Sequence, residues 1–263
     1  MRSLRLIGLF AQASLQEEMA YRSNFFISVL HSLLNLGTGV LGMVVLFGQV
    51  ETINGWTFGG TLGLLGVYLT IGALRSLFIG PSLEALAGMD GEVWSGQFDF
   101  TLLRPVSTQF LASFRKWRLF ALFDLVLGLG VLGIAVAHLS QTLTAAHMLA
   151  FLIALGAGVT IVYAILLAFA GLVFWSPGIL FTWVFDGLFQ MARYPLGLYP
   201  GWLRLVLTWV VPVGVITTVP AEALTGALSG GMLAGSVGLA AVLVAVASAL
   251  FHFGLRRYAS ASS

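Results

Sequence analysis

The sequence predicts an all-α, polytopic membrane protein with six transmembrane helices and both termini on the cytoplasmic side. Of the 263 residues, 59% are hydrophobic and 8% are charged, whereas soluble domains carry about 25% charged residues. The charges are clustered, and the stretches between clusters reach the ~20 apolar residues that a helix needs to cross a bilayer. The composition therefore excludes an ordinary soluble enzyme, a disordered protein and a nucleic-acid-binding protein.

The charge-free stretches of the sequence predict where the transmembrane helices lie. They run over residues 23–50, 52–74, 125–185 and 223–255. The third gap is long enough for two helices and a turn. The predicted spans are 24–48, 60–80, 119–139, 148–174, 178–193 and 232–254. The fifth is the shortest, and Asp186 interrupts it. The runs are apolar on every face, and lipid cannot satisfy free backbone groups, so we expect helices rather than barrel strands.

Residues 1–22 are predicted to form an amphipathic helix that lies in the membrane interface. Leu6, Leu9, Phe10 and Ala13 follow the spacing of one helical face, and polar residues occupy the other. Those polar residues interrupt the apolar run, which argues against a cleaved signal peptide.

Basic residues predict the orientation. With six spans, ten of the twelve lysine and arginine residues lie on the side of the termini, and only Arg193 and Arg204 lie opposite. Because positive charge concentrates in cytoplasmic segments, both termini are expected in the cytoplasm. The chain is then a single transmembrane domain, 1–263, with two long connections: a cytoplasmic loop over 81–118 and an extra-cytoplasmic segment over 194–231.

The segment 194–231 is apolar and contains four prolines. This pattern predicts short re-entrant helices, because irregular backbone at membrane depth must pack on protein or line a cavity. A seventh span is the alternative, but it would place the C-terminus outside and break the charge bias.

The 81–118 loop holds eight of the 22 charged residues. Pro81 with Ser82 predicts the start of a short helix, and Ser107 is expected to cap another. Trp94, Phe98 and Phe100 are expected to be exposed among the charges, which is typical of a docking surface. The alternative is a solvated loop without a partner.

Asp186 is the one acidic residue deep within a predicted span. A charge there costs ~2.5–3.5 kcal/mol, so it should face protein or water. Asp186 is predicted either to line a translocation path or to make a helix-packing contact, with Arg193 or with a neighbouring chain. The four histidines are dispersed and cysteine is absent, so no metal site is predicted.

No catalytic residue is predicted in this chain. The single lysine, Lys116, follows an arginine, so the G-x-x-x-x-G-K-[ST] phosphate-binding loop is absent. An ATP-driven process would therefore need a separate ATPase chain.

The stretch 96–106, GQFDFTLLRPV, resembles the signature G-x-(hydrophobic)-D-x-x-L-L-R-P. That signature is typical of permease subunits of type-two ABC transporters, the class that exports drugs, polysaccharides and lipids. It follows the second predicted span, as in that family. The segments around 194–195 and 212–221 also resemble the family.

The resemblance implies two permease subunits, identical or homologous, in a bacterial plasma (inner) membrane. It also implies two cytoplasmic ATPase subunits, which would hold ATP and Mg²⁺, while this chain holds no cofactor. The 81–118 loop would carry the coupling helix, either over Glu84 to Gly88 or in the turn from Asp90 to Trp94. The residues assigned to ATPase coupling, as contacts or as braces, are Glu84, Asp90, Glu92, Trp94, Phe98, Asp99 and Arg104. Asp186 and Arg193 are assigned to a candidate translocation path.

The expected function is export of a lipidic or amphipathic substrate, because the path is expected to be apolar and to be surrounded by membrane lipid. Two alternatives stay open. A secondary transporter or channel would work without an ATPase, although such proteins usually carry more intramembrane ionisable residues. A membrane scaffold would not transport at all.

Overall fold

The computed structural model describes residues 2–20, 22–139, 143–178 and 181–258. Within these ranges the regular secondary structure is helical apart from one small hairpin. The helices are α1 Arg2–Ala20, α2 Arg22–Phe47, α3 Phe58–Leu74, α4 Gly80–Glu84, α5 Asp99–Leu102, α6 Thr108–Phe114, α7 Ala121–Ala137, α8 Ala145–Val173, α9 Phe181–Met191, α10 Gly201–Leu205, α11 Val213–Leu224 and α12 Gly230–Leu255. Two π-helical turns, Arg75–Ile79 and Val206–Val210, and a 3₁₀ turn, Leu196–Leu198, link neighbouring helices.

Four helices among the described residues are long and apolar enough to cross a bilayer. They are Ser23–Phe47, Phe58–Glu84, Ala145–Val173 and Gly230–Leu255, and they match the predicted first, second, fourth and sixth spans. The pair Gly201–Thr208 and Val213–Leu224, bent by 86°, would make a fifth if it counts as one span.

The predicted third and fifth spans correspond to shorter helices. α7 has 17 residues and α9 has 11, fewer than the ~20 of a straight crossing. Residues 179 and 180 of the predicted fifth span lie outside the described residues, as do residues 1 and 21 of the predicted interfacial helix. Six spans, the orientation and the membrane placement of α1 therefore stay predictions.

The helix over Phe58–Glu84 is the centre of the fold. Thirteen of the seventeen α3 residues are buried, because apolar and small residues occupy every face. α7 packs against it antiparallel, with Leu132 beside Gly66 and Thr70 beside Gly128. A side chain at either glycine would push the helices apart, since a Cβ there would lie 2.8 Å from the neighbouring helix.

α8 and α12 form a second tight pair, in which Gly171 lies against the backbone of Phe251. α2 is peripheral: 17% of its most apolar window is buried, against 67% for Phe58–Glu84. The exposed apolar faces of such helices suit contact with lipid or with another chain.

The short helix expected at Pro81 is present as α4, with Pro81 in its first turn, but it continues from the second span through a π turn instead of standing apart. In an α-helix the amide of residue 81 would donate to the Leu77 carbonyl, but proline has no N–H. The Arg118 amide takes its place, donating to that carbonyl at 2.9 Å. Ser107 does precede α6, although its side chain makes no capping hydrogen bond.

The segment 194–231 contains short helices, as expected: the 3₁₀ turn, α10 and α11. A hairpin of two-residue strands, Thr52–Ile53 and Trp56–Thr57, lies beside it. Asn54 and Gly55 form its turn at positive φ, and Asn54 Nδ2 donates to the Gly197 carbonyl at 2.7 Å.

Candidate functional site

The 81–118 loop folds into a compact set of turns held by its own backbone. Gly88 and Gly96 adopt φ values of 88° and 74°, which side chains other than glycine rarely tolerate. The Glu92 amide donates to the Ala85 carbonyl at 2.9 Å, and the Phe98 amide donates to the Glu92 carbonyl at 2.9 Å. The loop is therefore a structured surface rather than an open linker.

Glu92 braces the loop from within. Its side chain is 8% exposed, and Oε1 accepts from Arg115 and, at 3.0 Å, from Lys116 Nζ. Arg115 also donates to Thr101 Oγ1 at 2.8 Å. These contacts join the first half of the loop to its last turn, because Arg115 and Lys116 come from that turn. Glu92, which was predicted to belong to the ATPase contact in the turn from Asp90 to Trp94, is buried inside the loop.

Phe98 was expected on the surface, and this expectation is wrong because the residue is fully buried. Its ring lies 5.4 Å from the Phe174 ring and 5.5 Å from the Tyr258 ring. The Tyr258 hydroxyl donates to Asp99 Oδ1 at 2.9 Å. Burial, together with the bond and charge of Asp99, raises the Tyr258 pKa to about 12. The residues after α12 thus fasten the loop to the end of α8.

The outward face of the loop is apolar. Five exposed side chains, here called the loop patch, are Met89, Trp94, Phe100, Leu102 and Leu103. Asp90 and Arg104 are exposed beside them in sequence. The exposure expected for Trp94 and Phe100 is confirmed, while the other three members were missed. Apolar residues inside a charged loop were the available signal, since exposed apolar patches mark interfaces.

Glu84 and Asp186 meet at one arginine. Arg75, in the π turn, binds Glu84 Oε1 at 2.6 Å and also binds Asp186 Oδ1. Its guanidinium lies 4.8 Å from the centre of the Phe185 ring. The predicted pairing of Asp186 with Arg193 is therefore wrong, because the partner of Asp186 is Arg75.

Arg193 contacts uncharged groups. It donates to Asn35 Oδ1 and, at 3.4 Å, to Thr38 Oγ1. Its guanidinium lies 5.3 Å from the centre of the Tyr68 ring. Of the two residues assigned to the translocation path, Asp186 thus contacts the second predicted span, and Arg193 contacts the first and the second.

A cavity of about 770 Å³, here called the membrane cavity, lies between α2, α3, α7 and α9. Five charged residues line it: Arg75, Arg118, Asp124, Asp186 and Arg193. This cavity is therefore partly polar, unlike the apolar path expected from the sequence. A charge beside a cavity can stay hydrated or meet a ligand, which lowers the cost of placing it among apolar helices.

Two polar stripes build the membrane cavity. On α2 the stripe is Ser28, Ser32, Asn35 and Thr38, and the second stripe is Asp186 and Gln190 on α9 with Arg193 in the turn that follows it. Residues three and four apart share one helix face, so each stripe faces the same void. The α2 stripe was missed, although its helical spacing in an otherwise apolar run was visible in the sequence.

α1 connects the loop to the start of α7. Ser14 Oγ accepts from the Trp117 amide at 3.1 Å, and Glu18 Oε2 accepts from the Phe120 amide at 3.2 Å. Burial raises the Glu18 pKa, although the hydrogen bond from the Phe120 amide opposes the shift. A second cavity of about 580 Å³ lies beside α1 and shares Ser28 and Arg118 with the membrane cavity.

Comparison with known protein families identifies one match. Residues 33–262 match the model of a family described as ABC-2 family transporter protein, which covers the chain from α2 to beyond α12. Comparison with curated proteins and with solved structures gave no match. Among the described residues, no group of three or more histidine, aspartate or glutamate side chains could hold a metal ion.

Proposed function

Because the chain belongs to the ABC-2 family of transporter proteins, we propose that it is the permease subunit of an ATP-driven exporter in the plasma membrane. Two such permeases, identical or homologous, pair with ATPase subunits on separate chains. The chain itself is an integral membrane protein with several apolar spans. It has no ATP-hydrolysing motif of its own.

In the proposed topology, α7 and α9 are the third and fifth of six spans, and the 81–118 loop faces the cytoplasm. The antiparallel packing of α7 on α3 supports the first assignment, because it returns the chain along the helix that leads into the loop. The basic bias towards the loop and both termini supports the orientation.

The observation that carries the proposal is the loop patch. Its five apolar side chains project from turns that buried ion pairs hold in place, as expected of a preorganised docking surface. We assign the docking contact to the turn from Asp90 to Trp94 and to the exposed residues up to Arg104. Glu84, Glu92 and Asp99 then act as braces behind this surface.

The contacts of the loop suggest how force reaches the membrane. Ser82 Oγ accepts from the Lys116 amide at 2.7 Å, which ties the loop to α4. Gln109 Nε2 donates to Ser248 Oγ at 3.0 Å, which ties α6 to α12. A displaced loop would therefore carry these helices with it relative to the sparsely packed α2. ATP binding drives the change only if the ATPase contacts the two states differently.

The test is purification of the tagged chain from its own membranes in mild detergent, with its subunits identified by mass spectrometry. We expect a phosphate-binding-loop ATPase in stoichiometric amount. Leu103→Asp should reduce its retention at least tenfold, because the aspartate must be desolvated at the contact. Gln97→Asp, on an exposed polar residue of the same loop, is the matched control. Undiminished retention in Leu103→Asp would contradict the docking surface.

A secondary transporter is the second candidate, favoured by the paired charges Arg75 and Asp186 at the membrane cavity. It predicts substrate movement by the purified chain in liposomes under an ion gradient, without ATP. The ATP-driven exporter predicts no such movement until the ATPase is added.

A further inference from the structure

Arg193 lies deep among the apolar helices. It contacts Asn35, thirteen residues into α2, and Tyr68, ten residues into the helix Phe58–Glu84. At 1.5 Å per residue these positions are about 20 Å and about 15 Å from the start of their helices. The guanidinium therefore sits near the middle of two candidate spans, where an uncompensated charge is expensive.

No carboxylate among the described residues pairs with Arg193. Its contacts are an amide oxygen, a hydroxyl and an aromatic ring, and its Nε is buried without a hydrogen-bond partner. A buried guanidinium normally finds a carboxylate or a phosphate, because its planar fork matches two oxygen atoms at once.

The other charges of the membrane cavity lie at its opposite end. Arg75 is seven residues beyond Tyr68, about 10 Å along the helix, and its charge is taken by Asp186 and Glu84. The Arg118 amide bonds to Leu77, two residues further on. Asp124 is one turn before Gly128, which abuts Thr70 on the Arg75 side of Tyr68. Arg193 is thus the single charged lining residue at its own level.

The membrane cavity also borders exposed apolar surface. Ile27 and Leu34 of α2 line it and are nevertheless 67% and 60% exposed. α9 exposes Trp183 beside its polar stripe and Val184 on the opposite face. A ligand could therefore place a polar group beside Arg193 while an alkyl chain lies along apolar surface.

We propose that Arg193 binds the anionic headgroup, a carboxylate or a phosphate, of an amphiphile in the membrane cavity. The polar stripe of α2 completes the headgroup contacts through Asn35 and Thr38, and the alkyl chain follows the exposed apolar residues of α2. This inference rests on the proposed transport function and specifies its substrate class. It narrows a lipidic or amphipathic substrate to an anionic one.

The experiment measures binding to the full-length chain in phosphatidylcholine nanodiscs, with empty nanodiscs subtracted and no ATPase present. The probes are dodecyl phosphate, dodecyl maltoside and inorganic phosphate. We expect dodecyl phosphate to bind at least tenfold more tightly than dodecyl maltoside, and inorganic phosphate to bind at least tenfold more weakly than dodecyl phosphate. The first probe pair tests the charge, and the second tests the need for an alkyl chain.

Variants assign the site. Arg193→Gln should weaken dodecyl phosphate binding about tenfold, the effect of losing a charged hydrogen bond, and Arg193→Lys should lie between. Arg204→Gln, at an exposed arginine outside the membrane cavity, is the control and should bind as the wild type does. Thr38→Asp supplies an internal carboxylate beside Arg193. The new carboxylate should occupy Arg193 and abolish dodecyl phosphate binding while the arginine stays in place. Loss of binding can then be distinguished from unfolding caused by removal of the arginine.

Unchanged binding in Arg193→Gln, or equal binding of dodecyl maltoside, would overturn the inference. Equally tight binding of inorganic phosphate would contradict the requirement for an alkyl chain and would indicate a site for small anions. The assay contains no ATPase. Specific binding by a chain that never retains an ATPase would therefore contradict the proposed ATPase partner and support the headgroup site at Arg193.

Discussion

The 81–118 loop and the membrane cavity hold the same kind of ion pair in opposite surroundings. In the loop, Glu92 and Arg115 are enclosed by protein, and apolar side chains face outwards. In the membrane cavity, Arg75 and Asp186 border a void, and apolar side chains face the lipid side of α2 and α9. The difference teaches that charge alone does not mark a binding site. An enclosed pair fixes a shape, whereas a pair beside a cavity leaves part of its charge facing the void.

The largest effect is expected for Glu92→Gln, which tests whether the enclosed ion pair stabilises the loop. The change leaves Arg115 and Lys116 facing a neutral group, and removing one partner of a buried pair costs about 3–5 kcal/mol. We expect a large fall in the unfolding temperature of the purified chain. Asp90→Asn, on an exposed carboxylate of the same turn, should change stability by less than about 0.5 kcal/mol. Equal effects of the two substitutions would show that the loop is not braced.

The same carboxylate-to-amide change in the cavity, Asp186→Asn, should cost less, about 2 kcal/mol. Arg75 retains Glu84, and the Asp186 side chain is 44% exposed. Thermal unfolding measured beside Glu92→Gln checks the ranking. A loss as large as that of Glu92→Gln would make Asp186 a structural brace and erase the distinction between the two regions.

Tyr258→Phe sharpens the loop side of the comparison. It keeps the packing on Phe98 and Phe174 but removes the hydrogen bond to Asp99, a loss of about 1 kcal/mol. Hydrogen exchange of the loop amides should increase around Asp99. Exchange as slow as in the wild type would show that the hydroxyl does not fasten the loop.

The same tyrosine predicts a pH dependence. Its pKa rises from an ordinary value of 10.0 to about 12, so the folded chain holds the proton over that window. Its stabilising contribution is complete below pH 10 and is lost as the pH rises towards 12. Tyr258→Phe should lose this component of the alkaline decline, and an identical decline in both proteins would contradict the assignment.

The smallest effect is expected for Glu18→Gln, at the border of the two regions. The amide oxygen can still accept from the Phe120 amide. Burial raises the Glu18 pKa, so the wild-type carboxylate loses stability as the pH rises above its ordinary value, and glutamine does not. The free energy of unfolding at neutral pH should change by less than about 0.5 kcal/mol. Glu18→Ala, which removes the acceptor, should cost more.

Local patterns predicted the long helices to within a few residues. The predicted spans 24–48 and 148–174 match α2 and α8, because each helix lies within a charge-free apolar run. The second span extends further than predicted, to Glu84, because the carbonyl that Pro81 leaves free is satisfied from another part of the chain.

The candidate site was harder to predict from the sequence, because its decisive contacts join residues that are far apart in the chain. Arg75 and Asp186 are 111 positions apart, and Asp99 and Tyr258 are 159 apart. Phe98 is apolar in a charged loop, and only the position of Tyr258 and Phe174 makes it internal. The α2 stripe was different, since its spacing alone could have indicated a polar face.

The proline at position 81 has one more consequence. Because proline has no amide hydrogen, the Leu77 carbonyl of the second long helix accepts from the Arg118 amide instead. This bond adds to those between Ser82 and Lys116, so the helix and the residues before α7 are joined at two neighbouring points. A rotation of the helix would then reach the start of α7, and alanine at 81 would weaken this connection by supplying a second donor for the same carbonyl.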